Sequence, residues 1–386
     1  MAGVSVVVPV YGVAALLPGC LDSILANADA DLEVIAVDDA SPDCAGQILT
    51  ERAAADDRLR VIRLGSNQGP GHARNIGLAA AAGDYVWFVD GDDMLASGAL
   101  AAVAESLAMV KPDVLLVNWE TWWRGRIEPN PGAALLRAVP RDGCTLEDQP
   151  ELIDATMTSW SKVYRRDFLR DLGVSFAAGV HEDIPVSCAA LLSADVIAAV
   201  AQVCYRYRRR AGSAMASTSS RQFAVFDAYR RVFELLGSWD EAGRPVSDRL
   251  RAAVFERAIW HYSTVLETTG PGIGRVGLPG LVPRSERRRF FGRMHEDFAR
   301  YRPAGYRHPP GARGVKLRLV ERNAYLTYSL LEPLNQLRVA LRSGRATRPV
   351  LRPLAQDRYG SNDAKINVNG RTVEAAAAAG RYVAPR

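Results

Sequence analysis

Short apolar runs alternate with helical segments over the first 120 residues of this chain, and this alternation restricts its fold more than any other feature. Val4 to Val10 is a β-branched run typical of a buried parallel strand. The same spacing rules predict four further strands, over Leu32 to Val37, Leu59 to Leu64, Tyr85 to Val89 and Val114 to Trp119. They predict helices between the strands, over Leu16 to Ala28, Ala45 to Asp56, Gly71 to Ala82 and Ser97 to Met109. Such alternation predicts an α/β fold with a twisted, mostly parallel sheet covered by helices on both faces.

The rest of the chain predicts a mainly helical part and a basic tail. With 386 residues and 48% hydrophobic content, the chain is long enough for more than one typical domain. Arg221 to Thr268 has apolar side chains at helical spacing, and Asn323 to Arg342 returns to that spacing. We therefore expect an α/β domain over residues 1–220, a helical C-terminal domain over residues 221–342 and a basic tail over residues 343–386.

Three carboxylates stand within four residues at the end of the predicted fourth strand, in the sequence Asp90-Gly91-Asp92-Asp93. Like charges this close repel one another unless a cation lies among them. Mg²⁺ or Mn²⁺ takes one or two carboxylates together with diphosphate oxygens, so the turn predicts a metal site that would neutralise a diphosphate leaving group. The alternative is an acidic turn in which Asp93 caps the following helix.

Polar residues also follow the other predicted strands, and sheets of this kind bind ligands beyond the carboxyl ends of their strands. Tyr11 would stack on a base, and Asp39 or its neighbour would accept a hydrogen bond from a base or a ribose. Asn67 and Arg74 belong to the connection after the third strand, where a guanidinium suits a phosphate. Each residue alone has an ordinary interpretation as part of a turn or cap, but four such sites on one sheet edge favour a binding site.

Taken in order, these motifs resemble the family 2 glycosyltransferases with the GT-A fold. The resemblance covers roughly residues 4–210 and rests on the runs VSVVVPVY, VDDAS, NQGPGHARNIG and VDGDD, whose order and spacing both match. It implies a Rossmann-like, mixed but mostly parallel sheet with flanking helices, followed by a mainly helical C-terminal region. It also implies a donor site in which Pro9 and Tyr11 contact the base, Asp39 contacts the uracil and Arg74 contacts the diphosphate, with Asn67 and Gly91 beside them. The metal motif would be Asp90 and Asp92, with Asp92 the more direct ligand.

The resemblance extends to the acceptor side and to a loop that closes over the donor. Asp183 in the sequence His181-Glu182-Asp183 matches the second acidic position of the family's catalytic motif and would take the acceptor's proton, with Glu182 as the alternative base. Trp160 and Lys162 lie in a segment similar to the one that lines the sugar pocket. A Tyr/Arg-rich segment similar to one that closes over the diphosphate contributes Arg208, Arg210 and Ser213.

The resemblance implies inverting transfer of a sugar from a UDP-sugar to a hydroxyl of a glycan or of a cell-wall or capsular polyol-phosphate polymer, with Mn²⁺ or Mg²⁺ as cofactor. One base is sufficient, because the metal already stabilises the leaving diphosphate. Two alternatives stay open: a nucleotidyltransferase, and a non-catalytic protein that binds nucleotide sugars or anionic polymers. The first lacks the basic, Gly-rich loop expected after the first strand, and the intact Asp90, Asp92 and Asp183 argue against the second.

Positive charge is concentrated towards the C terminus. Residues 275–358 hold 19 Lys and Arg against 6 Asp and Glu, a net charge of +13 in a chain of net charge +5. An amphipathic helix on an anionic membrane and a helix packed on its own domain both explain this pattern. Five scattered cysteines and the lack of a run of ~20 apolar residues indicate a cytoplasmic protein, peripheral on the inner face of the plasma membrane under the first explanation. No nucleic-acid partner is expected, and a homo-oligomer is compatible with the sequence.

Overall fold

The computed structural model describes residues 3–26, 31–123, 126–209, 219–267 and 281–331, together with the backbone of residues 367–368 and 371–372. The chain divides into two compact units, residues 1–334 and residues 335–386. In the second unit, Asn367–Val368 and Arg371–Thr372 pair as short antiparallel strands. Every site residue discussed below belongs to the first unit.

The first half of the main sheet is parallel. Its strands are β1 (Val4–Val10), β2 (Leu32–Asp38), β3 (Leu59–Arg63) and β4 (Tyr85–Phe88), and their connecting helices are α1 (Leu17–Leu25), α2 (Ala45–Ala55) and α3 (Pro70–Ala80). The strands stand in the order β3-β2-β1-β4, and each neighbouring pair is parallel. The β-branched runs of β1 and β2 are buried, as their composition predicts.

The second half of the sheet brings in antiparallel strands. It contains β5 (Met94–Leu95), β6 (Val114–Trp123), β7 (Arg126–Pro129), β8 (Lys162–Arg165) and β9 (Ile197–Arg208). Strand β8 is inserted antiparallel between β4 and β6, β9 runs parallel to β6, and β5 and β7 pair antiparallel with β9 and β6. The sheet is therefore mixed, and the predicted α/β class is confirmed.

Helices flank the sheet and form the C-terminal region. They are α4 (Ala99–Val110), α5 (Ala133–Ala138), α6 (Arg166–Asp171), α7 (Ile184–Ser193), α8 (Ala224–Glu241), α9 (Asp248–Leu266), α10 (Arg287–Tyr301) and α11 (Gly311–Glu321). The predicted helical character after residue 220 is confirmed, whereas the domain boundaries at residues 220 and 342 stay predictions. Residues 325–331 are helical, and the rest of the predicted amphipathic helix lies outside the described residues. None of the described helices is both long and apolar enough to cross a bilayer.

Two apolar layers cover the two faces of the sheet. Alternation along β1 places Val6 and Val8 in a layer with α1, α2 and α4, and Val7 in a layer with α3 and α7. Helices α8, α9 and α10 contribute to the same layer as α7, through residues such as Tyr229 and Phe255. The C-terminal helices therefore share one apolar core with α3, α7 and the face of the sheet that these two helices cover.

Candidate active site

The carboxyl ends of β1, β2 and β4 meet at one edge of the sheet because these strands are adjacent and parallel. Tyr11 follows β1 there and is 48% exposed, as a ring that stacks on a ligand must be. Pro9 is half-buried within β1, and Asn67 is exposed in the connection between β3 and α3. The structure thus brings the predicted base-binding residues to one edge, and their contact with a base stays a prediction.

The acidic turn lies beside these residues, directly after β4. Ligand oxygens of Asp90, Asp92 and Asp93 all lie within 4.8 Å of one another. Gly91 is packed so closely on β1 that a Cβ there would lie 3.1 Å from the Pro9 carbonyl oxygen. A side chain at position 91 would therefore require the turn and β1 to move apart by a few tenths of an ångström.

Asp93 differs from its two neighbours because its carboxylate is enclosed by protein. It accepts a hydrogen bond from the Tyr205 hydroxyl at 2.7 Å and another from the Arg208 backbone N–H at 2.7 Å. Burial raises the pKa of Asp93 well above its ordinary value, and the charges of Asp92 and Asp90 raise it further. Helix α4 has Gly98 rather than Asp93 at its N-cap, so the alternative interpretation of Asp93 as a helix cap is wrong.

Arg208 also supports the acidic turn. Its Nε donates to the Asp92 carbonyl at 2.5 Å, and its Nη2 donates to the carbonyls of Leu16 and Asp93 at 3.0 and 3.1 Å. Main-chain carbonyls thus accept from Nε and Nη2 of Arg208, and its contact with a diphosphate stays a prediction. Arg210 and Ser213, expected from the same segment, lie outside the described residues.

Arg74 connects the acidic turn to the second acidic segment of the site. It is 3% exposed; Nη2 donates to Asp90 Oδ1 at 2.7 Å and Nη1 donates to Glu182 Oε1 at 2.6 Å. Burial would lower the pKa of Arg74, but the charges of Asp90, Glu182 and Asp183 outweigh it and raise the pKa. A buried guanidinium needs counter-charges, and Arg74 takes them from two carboxylates. The expected contact between Arg74 and a diphosphate stays a prediction.

Asp183 is the carboxylate best placed to act as a base. It is half-buried at the N-cap of α7, and its Oδ2 accepts a hydrogen bond from the Ser159 N–H at 3.0 Å. Burial, followed by the charge of Glu182, raises the pKa of Asp183 to about 7. A base with a pKa near neutrality is matched to proton transfer at physiological pH. Glu182, by contrast, is engaged with Arg74, which makes it the weaker candidate.

Three further predicted residues are directed into the protein. Both carboxylate oxygens of Asp39 accept hydrogen bonds from backbone N–H groups, those of Gln68 and Gly69, at 2.8 Å each. The contact of Asp39 with uracil stays a prediction. The Trp160 ring is 6% exposed and stacks on Tyr205 and Tyr207. Lys162 is fully buried on β8, which corrects its assignment to the sugar pocket. In a strand, successive side chains alternate between faces, and residue type alone did not reveal which face Lys162 would take.

Two residues of the site escaped the sequence analysis. Tyr205 donates to Asp93 and accepts from the Asp90 N–H at 3.2 Å, so its hydroxyl holds both ends of the acidic turn. Gln222 Oε1 accepts from His181 Nε2, 3.0 Å away, and thereby contacts the segment that carries Asp183. The apolar-polar alternation of β9 was a usable signal for Tyr205, whereas nothing in the local sequence marks Gln222.

The remaining carboxylates of the turn fit a hard divalent cation. With Asp93 enclosed, Asp90 and Asp92 are the half-buried members, and Arg74 holds Oδ1 of Asp90. Mg²⁺ and Mn²⁺ prefer oxygen ligands and are held in such sites by one or two carboxylates plus substrate phosphates. The donor set therefore suits a cation that arrives with a diphosphate, and the cation itself stays a prediction.

Comparisons with known proteins point to one family. Residues 5–173 match the model of Glycosyl transferase family 2. The uncharacterized glycosyltransferase EpsJ of Bacillus subtilis (strain 168) is 28% identical over 251 residues, which are 62% of this chain and 72% of that protein. A poly(ribitol-phosphate) beta-glucosyltransferase of Bacillus spizizenii is 39% identical over 100 residues, which are 25% of this chain and 16% of that protein.

A solved structure extends the likeness beyond the family model. S. aureus TarS, residues 1–349, in complex with UDP-GlcNAc, superimposes with a TM-score of 0.65 at 23% identity and covers 90% of this chain and 93% of that one. At this identity the likeness shows a common fold.

Proposed function

Because this chain belongs to glycosyltransferase family 2 and has the GT-A fold, we propose that it is an inverting enzyme that moves a hexose or N-acetylhexosamine from UDP to a hydroxyl group. The UDP-GlcNAc bound by TarS supports the choice of nucleotide. The acceptor we propose is a glycan or a polyol-phosphate polymer, supported by the name of the matching poly(ribitol-phosphate) beta-glucosyltransferase.

On the donor side, Tyr11 and Pro9 would hold the base, while Asp90 and Asp92 would hold Mn²⁺ or Mg²⁺ against the diphosphate. The cation, when bound, would neutralise the charge that develops on the leaving UDP. The protein's part is to keep the turn in place, through Tyr205 on the main chain of Asp90 and Arg208 on that of Asp92. Such preorganised groups stabilise developing charge without rearranging during the reaction.

On the acceptor side, Asp183 would act as the general base. The acceptor oxygen attacks the anomeric carbon, the bond from that carbon to the diphosphate oxygen breaks, and UDP leaves with the electron pair. Asp183 takes the proton of the acceptor hydroxyl. No acid is needed at the leaving group, because a nucleoside diphosphate bound to a cation leaves as an anion.

The observation that carries the proposal is the double ion pair of Arg74 with Asp90 and Glu182. One buried side chain joins the turn that would hold the leaving group to the segment that would hold the base. A binding protein would need only the first of these. The coupling of the two therefore favours catalysis over binding alone.

The proposal is tested by measuring UDP release from a panel of UDP-sugars with Mn²⁺ and with short glycan or polyol-phosphate acceptors. We expect transfer from at least one donor, and Asp183→Asn should lower kcat by about 10²- to 10⁴-fold, the usual contribution of a general base. Asp195→Asn is the matched control, since Asp195 is an exposed aspartate just after α7. No UDP release and no binding of any UDP-sugar by the wild type, or full activity of Asp183→Asn, would contradict the proposal.

A further inference from the structure

Lys162 is a buried cation. Among the described residues, the hydrogen bonds of its ammonium group all go to one loop, residues 156–161. Lys162 is 0% exposed, and Nζ donates to the carbonyls of Thr156 and Thr158 at 2.5 and 3.0 Å. The hydroxyl of Ser161 lies 3.3 Å from Nζ and 2.9 Å from the Thr158 carbonyl. Residues 156–161 are thus folded around one ammonium group.

The same loop contacts the proposed base from its other side. The Ser159 N–H donates to Asp183 Oδ2 at 3.0 Å, and this N–H belongs to the same peptide group as the Thr158 carbonyl that accepts from Lys162 Nζ. A hydrogen bond to a carboxylate favours its charged form, and this one lowers the pKa of Asp183 against the effect of burial. Orientation of the loop therefore bears on both the position and the basicity of Asp183.

An ammonium group is a costly choice for this position. Moving a cation out of water carries a penalty that hydrogen bonds to carbonyls offset only in part. Burial lowers the pKa of Lys162 to about 7, and the charge of Asp183 opposes this shift. A methionine would fill nearly the same volume without this penalty, so packing alone does not explain a lysine.

We infer that Lys162 is a positioning residue for the base: its ammonium group fixes the Thr156 and Thr158 carbonyls and thereby holds the Ser159 N–H on Asp183. This inference rests on the proposed function, in which Asp183 takes the acceptor's proton. Lys162 itself touches neither donor nor acceptor, because no part of it is exposed.

The test is Lys162→Met, with kcat and the pH dependence of kcat as readouts. We expect kcat to fall on the order of 10²-fold, the cost of a misplaced catalytic group, while the Kd for UDP with Mn²⁺ stays within about twofold. Loss of the Ser159 hydrogen bond should also move the acid limb of the profile to higher pH. Lys316→Met is the matched control, because Lys316 is a partly buried ammonium paired with Glu267 away from the site.

A double-mutant cycle decides whether Lys162 acts through Asp183. In the Asp183→Asn background, Lys162→Met should cause no further loss, because the group that it positions is already gone. If Lys162→Met is poorly folded, Ser161→Ala should give a smaller, several-fold loss of kcat with the same shift of the acid limb. An unchanged kcat and pH profile in both variants, or fully additive losses with Asp183→Asn, would overturn the inference. A wild type without UDP release would instead contradict the proposed function.

Discussion

The environment of Asp183 determines what this residue can do. The charged groups that act on it are Glu182 on its own segment, Arg74 on α3, Asp90 on the acidic turn and Lys162 on β8. Burial and the two carboxylates raise its pKa, whereas Arg74 and the Ser159 N–H lower it, and the balance leaves the pKa at about 7. A carboxylate that would otherwise be charged throughout the physiological range is thereby made to titrate within it.

At the scale of the residue, we therefore predict that kcat falls on the acid side of about pH 7. The base works only when deprotonated, so kcat measured with saturating donor, acceptor and Mn²⁺ should drop towards tenfold per pH unit well below this value. Asp183→Asn should lose this limb together with its activity, and Asp195→Asn should keep it. A profile that is flat from pH 5 to 8 would show that Asp183 does not supply the base.

At the scale of the element, the sequence predicted most of the parallel half and little of the antiparallel half. Strands β1 to β4 and helices α1 to α4 were predicted within a few residues, because each has a complete apolar period. Strand β8 was missed, since Lys162–Arg165 is four residues long and carries a charge at each end. Its insertion between β4 and β6 depends on contacts between distant segments, which no local pattern encodes.

The packing of α3 on β1 gives a prediction about glycine. A Cβ at Gly77 would lie 2.2 Å from Val7 Cγ1, whereas one at Gly237 in α8 would have no atom within 4 Å. Gly77→Ala should therefore destabilise the fold by about 1–3 kcal/mol through overpacking. Gly237→Ala should stabilise it by roughly 0.5–1 kcal/mol, since alanine favours a helix over glycine. Urea unfolding midpoints measure both changes, and shifts of the same sign would contradict this account of α3.

At the scale of the whole molecule, the site is assembled from segments that are distant in sequence. Arg74 on α3 meets Asp90 after β4 and Glu182 before α7, so the fold brings together residues that are 108 positions apart. The sequence predicted which residue types gather here, but not that Arg74, Arg208 and Lys162 would face the protein. Counter-charges and carbonyl groups from other segments decide those directions, and they exist only in the folded chain.

This assembly leads to a prediction about cation and nucleotide binding together. Asp90 and Asp92 supply two carboxylates, which is few for a cation alone but sufficient when a diphosphate completes the coordination. Thermal unfolding should therefore show a small shift with Mn²⁺ or UDP alone and a larger one with both. Ligand at 100 times its Kd stabilises the folded state by about 2.7 kcal/mol.

Asp92→Asn is the variant that isolates the cation's part in this coupling, because the acidic turn keeps its shape through Tyr205 and Arg208, whose bonds are to Asp93 and to main-chain atoms. We expect this variant to unfold at nearly the wild-type temperature without ligand and to lose the extra shift produced by Mn²⁺ and UDP together. Asp195→Asn should retain that shift. Equal shifts in the wild type and in Asp92→Asn would mean that the cation binds elsewhere, and additive shifts in the wild type would mean that cation and diphosphate do not share a site.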